Sequence, residues 1–442
     1  MKSLDVRWPR VAVIGSGIAG LAAAHGLKDH ARVTLFEAGD YFGGHTHTVD
    51  VCLPGVDGEW IEHGVDTGFL VFNHKTYPGL IALFESLQVE IAASDMSFSV
   101  QVPRAFGAQA LEWNGADLNT VFAQRSNLLR PKFWRMLADI LRFNRLATEL
   151  AESEQDARLM MPLEEFLTQH GFGNVFRDWY LLPMLACIWS CPTDQMLQFP
   201  VATMVRFCHN HGLIQVNDRP QWLTVQGGAR NYVQKIIAGL TDARLQCPVQ
   251  LVDRTEEGVW VHTRHGVERF DEVVLAAHSD QALSMLARPS SAEREVLGAI
   301  QYHPNHAVLH TDASVMPERR KAWAAWNYER ALDPGQGQRH VCLHYWLNRL
   351  QPLPFRDPVI VSLNPVRSIR PACVLQEFHY AHPVFDLPAI GAQAKMGDLQ
   401  GRNRTWFAGA WMGYGFHEDG LRAAQSVVRQ WLARRQASGV RA

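Results

Sequence analysis

Apolar and polar positions follow three patterns along the chain. Short unbroken apolar runs suit buried strands: Val11 to Ile14 closing on Gly15, Arg32–Glu37, and Asp271–Ala277 with its Val-Val-Leu-Ala-Ala core. Alternation predicts further strands at Met96–Val102, at Val259–Thr263 with a turn over Arg264 to Gly266, and at Ala307–His310, His340–Trp346 and Val359–Leu363. The last three alternate well enough to form one sheet, and Arg244 to Val252 reads as one strand. A helical period marks the residues after Gly20, the segment Tyr77–Leu87, most of 118–215, and the stretch that runs to about Arg435. Strands and helices mixed in this order predict an α/β chain.

The first apolar run enters Gly15, Ser16, Gly17, Ile18, Ala19 and Gly20, and a small-residue helix follows at once. Gly15 permits a tight turn, Gly17 lets backbone approach a pyrophosphate, and Gly20 lets the helix pack on the strand. The unpaired N–H groups of the helix start suit an anion. Glu37 ends the second strand seventeen residues past Gly20, where its carboxylate can accept from a ribose hydroxyl. Lys2, Arg7 and Arg10 ahead of the apolar run imitate a secretory signal, but Gly15, Gly17, Gly20 and Gly26 interrupt that run. The Gly227-Gly228 turn before Arg230 has no such fingerprint before it, so no second dinucleotide site is expected.

At 442 residues, 47% hydrophobic and 19% charged, the chain has ample core for two domains or one large, interrupted one. A formal charge of -2 and a sequence pI near 6.9 give no case for a nucleic-acid partner. Leu181 to Cys191 is too short and too broken by Pro183 to span a membrane, which points to a soluble or peripheral protein. Seven cysteines without regular spacing suggest reduced thiols in a cytoplasm. Cys187, Cys191, Cys208, His209 and His211 contain no CxxC pair, so buried free cysteines are expected there and no metal site. Between Pro131 and Leu150, Phe133, Met136, Ile140 and Phe143 share one side and Lys132, Arg135, Arg142 and Arg145 the other. That pattern fits either a surface helix packed on its own core or one lying on the anionic inner face of a membrane.

Past Glu37 and Ala38 the chain reads Gly43-Gly44-His45-Thr46, a turn that can press backbone N–H groups against a phosphate. Together, the fingerprint, Glu37 and this turn resemble the FAD-dependent amine oxidase, phytoene desaturase and protoporphyrinogen oxidase superfamily. The resemblance implies a Rossmann-like FAD-binding domain of the amine-oxidase type, three-part and discontinuous, over 1–76, 220–284 and 396–442. A mixed α+β substrate domain would occupy 77–219 and 285–395. Where the superfamily carries an arginine on the FAD pyrophosphate, this chain has His45, which can still donate a hydrogen bond.

By position, Gly64, Val65, Asp66 and Thr67 would lie beside the isoalloxazine and Val249 on the adenine side, with Ala276, Ala277 and His278 close to the cofactor. Gly409 and Ala410 would follow the ribityl chain. Asp419, Gly420 and Leu421 would open the helix that points at the pyrimidine edge.

The match extends through GGHTHTV, IEHGVDTGF, HTDASVMP, AWNYE, HPVFD and AGAWMGYGFHEDG to a bacterial group of flavin-containing amine oxidases, some similar to fatty-acyl desaturases. That resemblance implies FAD-dependent hydride removal from a hydrophobic substrate such as a membrane-lipid acyl chain, with His417 or Glu418 as the base. Two alternatives stay open: an amine oxidase, although no lysine sits in a matching motif, and a non-catalytic flavoprotein partner of a lipid-modifying enzyme. Trp323, Trp326, Tyr328, Tyr345 and Trp346 are candidates for the wall of an apolar cavity.

Overall fold

A five-stranded parallel sheet gathers chain segments that are far apart in sequence, in the order Ala243–Arg244, Arg32–Phe36, Arg10–Ile14, Glu272–Leu275 and Thr405–Phe407. The computed structural model describes residues 8–152, 161–214, 220–331 and 341–437. Ile14 pairs with Phe36 on one side and Leu275 on the other, and Leu275 pairs with Phe407, so four strands end in register. Both faces are covered. Val11, Val13, Val33 and Leu35 pack with Leu21, Leu27, Val427 and Trp431 of the helices Ile18–Leu27 and His417–Ala437. Ala12, Ile14, Phe36, Leu275 and Phe407 pack with Val252, Phe270 and Leu399 on the opposite side. Burial on both faces is why these strands read as apolar runs rather than alternations.

The strand expected over Arg244 to Val252 is two strands in two sheets, Ala243–Arg244 and Val249–Arg254. Gln246 takes φ +50 and Pro248 has no N–H to give a ladder, so the chain turns between them. The turn is anchored where Gln246 N donates to Gly39 O and Cys247 N to Glu37 O, each at 2.8 Å.

A second, seven-stranded sheet runs Val374–Pro383, Tyr302–His310, Ile360–Leu363, Cys342–Trp346, Trp326–Glu329, Phe98–Phe106, Gln109–Asn114. Its inner face, with Leu309, Leu343, Tyr345 and Val361, shares a core with the helices Leu163–Gln169, Leu182–Trp189 and Val201–Asn210. Alternation divides the aromatic residues expected to wall one cavity. Tyr328 and Tyr345 belong to the inner core, whereas Trp346 meets Trp323 edge to face at 5.3 Å beside Val315, Met316 and Ile360.

Asp66 ties the two layers together. Its carboxylate accepts from the Thr48 hydroxyl, from Ala229 N at 2.9 Å and from Gln351 Nε2 at 2.5 Å. The helix Pro131–Glu152 buries Phe133, Met136, Phe143 and Ala147 in the core and exposes Trp134 and Leu141. No described helix is long and apolar enough to cross a membrane.

Arg254 and Glu293 form a bidentate pair (2.5 and 3.0 Å) whose side chains are 6% and 3% exposed. Glu293 also closes a capping box with Ser290 on the helix Ser291–Gly298. Glu293→Ala leaves a buried guanidinium unpaired and is expected to lower the unfolding free energy by about 3–5 kcal/mol. Urea denaturation reads this directly, and a loss below about 1 kcal/mol would show that water reaches the pair.

Candidate cofactor and active site

The ends of the parallel strands carry the glycines, and each has its own steric reason. Gly15 has φ +99, and a Cβ on it would lie 2.7 Å from Ala276 O. A Cβ on Gly20 would lie 1.8 Å from Gly15 O, so helix and turn meet without room for a methyl. Gly17 is different: nothing lies within 4 Å of its Cβ direction. Gly44, at φ +59, would place a Cβ 3.0 Å from Gly17 Cα, which lays the Gly43-Gly44 turn on the fingerprint. Ser16 links the two turns, because its buried hydroxyl donates to Glu37 Oε2 at 2.5 Å and accepts from Gly43 N at 3.1 Å.

Glu37 also accepts from Ser16 N at 2.9 Å and Gly39 N at 2.8 Å. A carboxylate has about four acceptor sites, so one remains for a ribose hydroxyl. Val249 follows the Cys247 anchor on Glu37 O, which brings the start of its strand to the Glu37-Ala38 segment.

The last strand delivers Gly409 and Ala410. A Cβ on Gly420 would meet Ile18 Cγ2 at 2.8 Å and Ala410 N at 3.5 Å, so the C-terminal helix starts against the first one. Leu421 is buried in the core there. Asp419 accepts from Phe416 N at 3.0 Å, and burial pushes its pKa up to about 6. Ala277 O accepts from the Trp411 indole, and His278 precedes the helix Ser279–Met285 and stacks on Tyr302 at 4.3 Å.

His45 sits among rings, 5.2 Å from Tyr380, 5.3 Å from His382 and 6.3 Å from His278. Its Nε2 is buried with no hydrogen-bond partner among the described residues. Burial, reinforced by His278, holds its pKa at about 4. Thr46 Oγ1 lies 2.5 Å from the Tyr232 hydroxyl and 2.8 Å from His417 Nε2, and His417 stacks on Phe69 at 3.7 Å. Burial and then His45 hold His417 at about 3.

Of the segment expected beside the ring, Val65 is fully buried, Asp66 carries the bonds described above, and Thr67 bonds to His47 O and the Tyr380 hydroxyl. A Cβ on Gly64 would lie 2.9 Å from Thr48 Cγ2. Burial raises Asp66 to about 6, against the bonds from Thr48, Ala229 and Gln351.

His417 and Glu418 serve different neighbourhoods. Glu418 Oε1 and Oε2 accept from Gly79 N and Leu80 N, both at 2.9 Å, and Arg422 Nε lies 3.0 Å away. Its carboxylate therefore caps the helix Pro78–Ser86. His417 instead faces Thr46 and the aromatic residues. Next to it Phe416 stacks on Phe207 at 4.8 Å, and Phe207 packs on His211 at 3.9 Å and Trp189 at 4.8 Å.

Tyr232 and Tyr380 belong to this site although no quoted motif contains them, whereas Phe69 and His382 lie inside IEHGVDTGF and HPVFD without being singled out there. Cys187, Cys191 and Cys208 are buried thiols whose pKa values burial raises. Among the described residues, the one group of three side chains placed to share a metal ion is Glu329, Cys342 and His344. It lies in the seven-stranded sheet, where His344 Nε2 is already 3.0 Å from Glu329.

Two features fit a dinucleotide. Space is open over Gly17 at the strand ends, and a buried imidazole nitrogen beside the second glycine turn lacks a partner. A sequence model of flavin-containing amine oxidoreductases matches residues 18–343. No curated protein sequence gives a significant match.

Among solved structures, the fold is similar to a CLA-producing fatty acid isomerase from P. acnes, at 16% identity and a TM-score of 0.66 over 96% of this chain and 98% of that one. Cyclohexylamine oxidase from Brevibacterium oxydans IH-35A gives 17% and 0.67 over 97% and 100%. Putrescine oxidase bound to putrescine gives 15% and 0.65 over 96% and 99%. At these identities the likeness is one of fold.

Proposed function

The chain belongs to the flavin-containing amine oxidoreductases, and on that premise we propose that this FAD-dependent oxidoreductase dehydrogenates an apolar substrate, a fatty acyl chain of a membrane lipid. The observation that carries the reading is the aromatic neighbourhood of His417. Phe69 stacks on the His417 ring, and Phe416, its neighbour in the chain, stacks on Phe207. Such surroundings favour an uncharged, apolar substrate.

When bound, FAD supplies the acceptor for two electrons and one hydrogen, transferred as hydride. We assign its pyrophosphate to the backbone of Gly15 through Gly20 and Gly43-Gly44, with His45 donating. Glu37 takes the ribose, with Ala38 and Val249 towards the adenine. Gly64 to Thr67, Ala276 to His278, Gly409-Ala410 and the helix start at Asp419, Gly420 and Leu421 surround the remainder. The start of that helix favours negative charge.

Desaturation also releases a proton, and His417 is the acceptor we assign. With Nε2–H donated to Thr46, Nδ1 is the acceptor, and it has no partner among the described residues. Burial keeps the ring neutral at pH 7, the form able to take a proton.

Anaerobic mixing with phospholipids is expected to bleach the flavin. Peroxide release with polyamines or aromatic amines, without lipid-dependent bleaching, overturns the proposal. In His417→Gln the reduction rate should fall about 10²–10⁴-fold with FAD retained. The parent rate should show no acid limb between pH 5 and 8, because the base titrates near 3.

A further inference from the structure

Five of the fourteen exposed large apolar side chains among the described residues fall within 118–141: Leu118, Leu128, Leu129, Trp134 and Leu141. Leu129 is 88% exposed and Leu118 78%. They form one patch. The Trp134 indole N–H donates to Leu128 O at 2.9 Å, and its ring lies 5.3 Å from Phe122, one helical turn beyond Leu118. Trp134 and Leu141, seven residues apart, share a face of the helix Pro131–Glu152 that is distinct from its buried Phe133–Met136 face.

Charge around the patch is predominantly positive. Between 117 and 145 the basic residues are Arg125, Arg130, Lys132, Arg135, Arg142 and Arg145, against Asp117 and Asp139, in a chain whose formal charge is -2. Asp139 is paired with Arg142 at 3.0 Å. The turn Arg320–Ala322 packs close by, and Arg319 adds to the positive field felt by Arg130. A second copy docked face to face would bring these cations together, whereas an anionic surface would neutralise them.

We propose that this corner docks on an anionic phospholipid bilayer. Leu118, Leu129 and Trp134 enter the headgroup boundary, and Arg125, Lys132 and Arg135 lie at the phosphates with their aliphatic stems along the apolar side chains. The site is separate from the assigned FAD residues, and its test needs no turnover, so it stands or falls independently of the substrate.

The flavin-loaded protein is sedimented with phosphatidylcholine vesicles with and without about one third phosphatidylglycerol. Binding is expected only with the anionic lipid, and weakened by high salt. Leu129→Asp/Trp134→Asp should lower the partition at least tenfold, and Lys132→Gln/Arg135→Gln several-fold. Bound flavin and the urea midpoint should not change in either variant. Wild-type protein that stays in the supernatant, or variants that bind like wild type, would overturn the proposal. A dimer in solution that Leu129→Asp dissociates, without vesicle binding, would also overturn it and assign the patch to self-association.

Discussion

Gly20→Ala should purify without flavin and lose more than about 3 kcal/mol of folding free energy, the range of severe backbone overpacking. The new methyl would stand 1.8 Å from Gly15 O. That carbonyl cannot retreat easily, because Gly15 N donates to Phe36 O at 2.8 Å and even a Cβ on Gly15 would come within 2.7 Å of Ala276 O. Gly17→Ala is the matched comparison. Its methyl meets nothing within 4 Å, so the urea midpoint should stay at the parent value. The methyl does enter the space we assign to the pyrophosphate, so FAD affinity should fall about tenfold or more, about 1.4 kcal/mol. Flavin fluorescence titration and urea denaturation of both variants separate the two effects. If Gly17→Ala bound FAD like the parent, the pyrophosphate would have to lie elsewhere.

Acid should destabilise the protein well before its exposed carboxylates protonate. Burial holds His45, His211 and His310 at about 4, and His382 and His417 at about 3, below the value near 6.5 of an unfolded chain. Their contribution is complete above pH 6.5 and is lost as pH falls towards 4 and 3, because only the unfolded chain takes up the protons. Asp66 and Asp419, raised to about 6 by burial, act in the opposite sense, since the folded state binds their protons first. Five histidines outweigh two acids.

At the other end, against its burial, Cys342 and Glu329 hold His344 at about 9, so its contribution is complete below pH 6.5 and is lost progressively as pH rises from 6.5 through 9. Unfolding free energies from urea denaturation should therefore peak near pH 6.5, decline gradually towards pH 9, and fall by several kcal/mol between pH 6.5 and 4.5. A profile that stays level down to pH 4.5 would mean that these rings are hydrated in solution.

The strand–turn–helix unit that we assign to the dinucleotide was legible because its steric requirements are local. Gly15, Gly17, Gly20 and Glu37 lie within one strand–helix–strand unit, and the structure gives Gly15 and Gly20 the steric roles read from their spacing. Glu418 shows where that legibility stops. Its type and its place at a helix start suit a base, but its partners are Gly79 N and Leu80 N, more than three hundred positions earlier in the chain. The surroundings of His45 depend in the same way on Tyr380 and His382, supplied by a strand of the other sheet. That sheet was legible as separate alternating strands but not in its order. Pairing Phe98–Phe106 in parallel with Trp326–Glu329 depends on a crossover that no local pattern encodes. The Gln246 turn was missed because a left-handed backbone at a non-glycine residue leaves no mark on hydrophobic period.

The parallel sheet that begins with Arg10–Ile14 is completed only when Thr405–Phe407 pairs beside Glu272–Leu275. At synthesis rates of about 5–20 residues per second, the Gly43-Gly44 turn leaves the ribosome roughly 20 to 80 s before Gly420 exists to meet Ile18. Once Leu275 has emerged, the nascent chain has an unpaired strand edge there until Thr405–Phe407 is made, and the apolar face over Val11 and Val13 waits for Val427 and Trp431. A chain truncated before Trp406 therefore has an open β-edge at Leu275 and a strong tendency to aggregate.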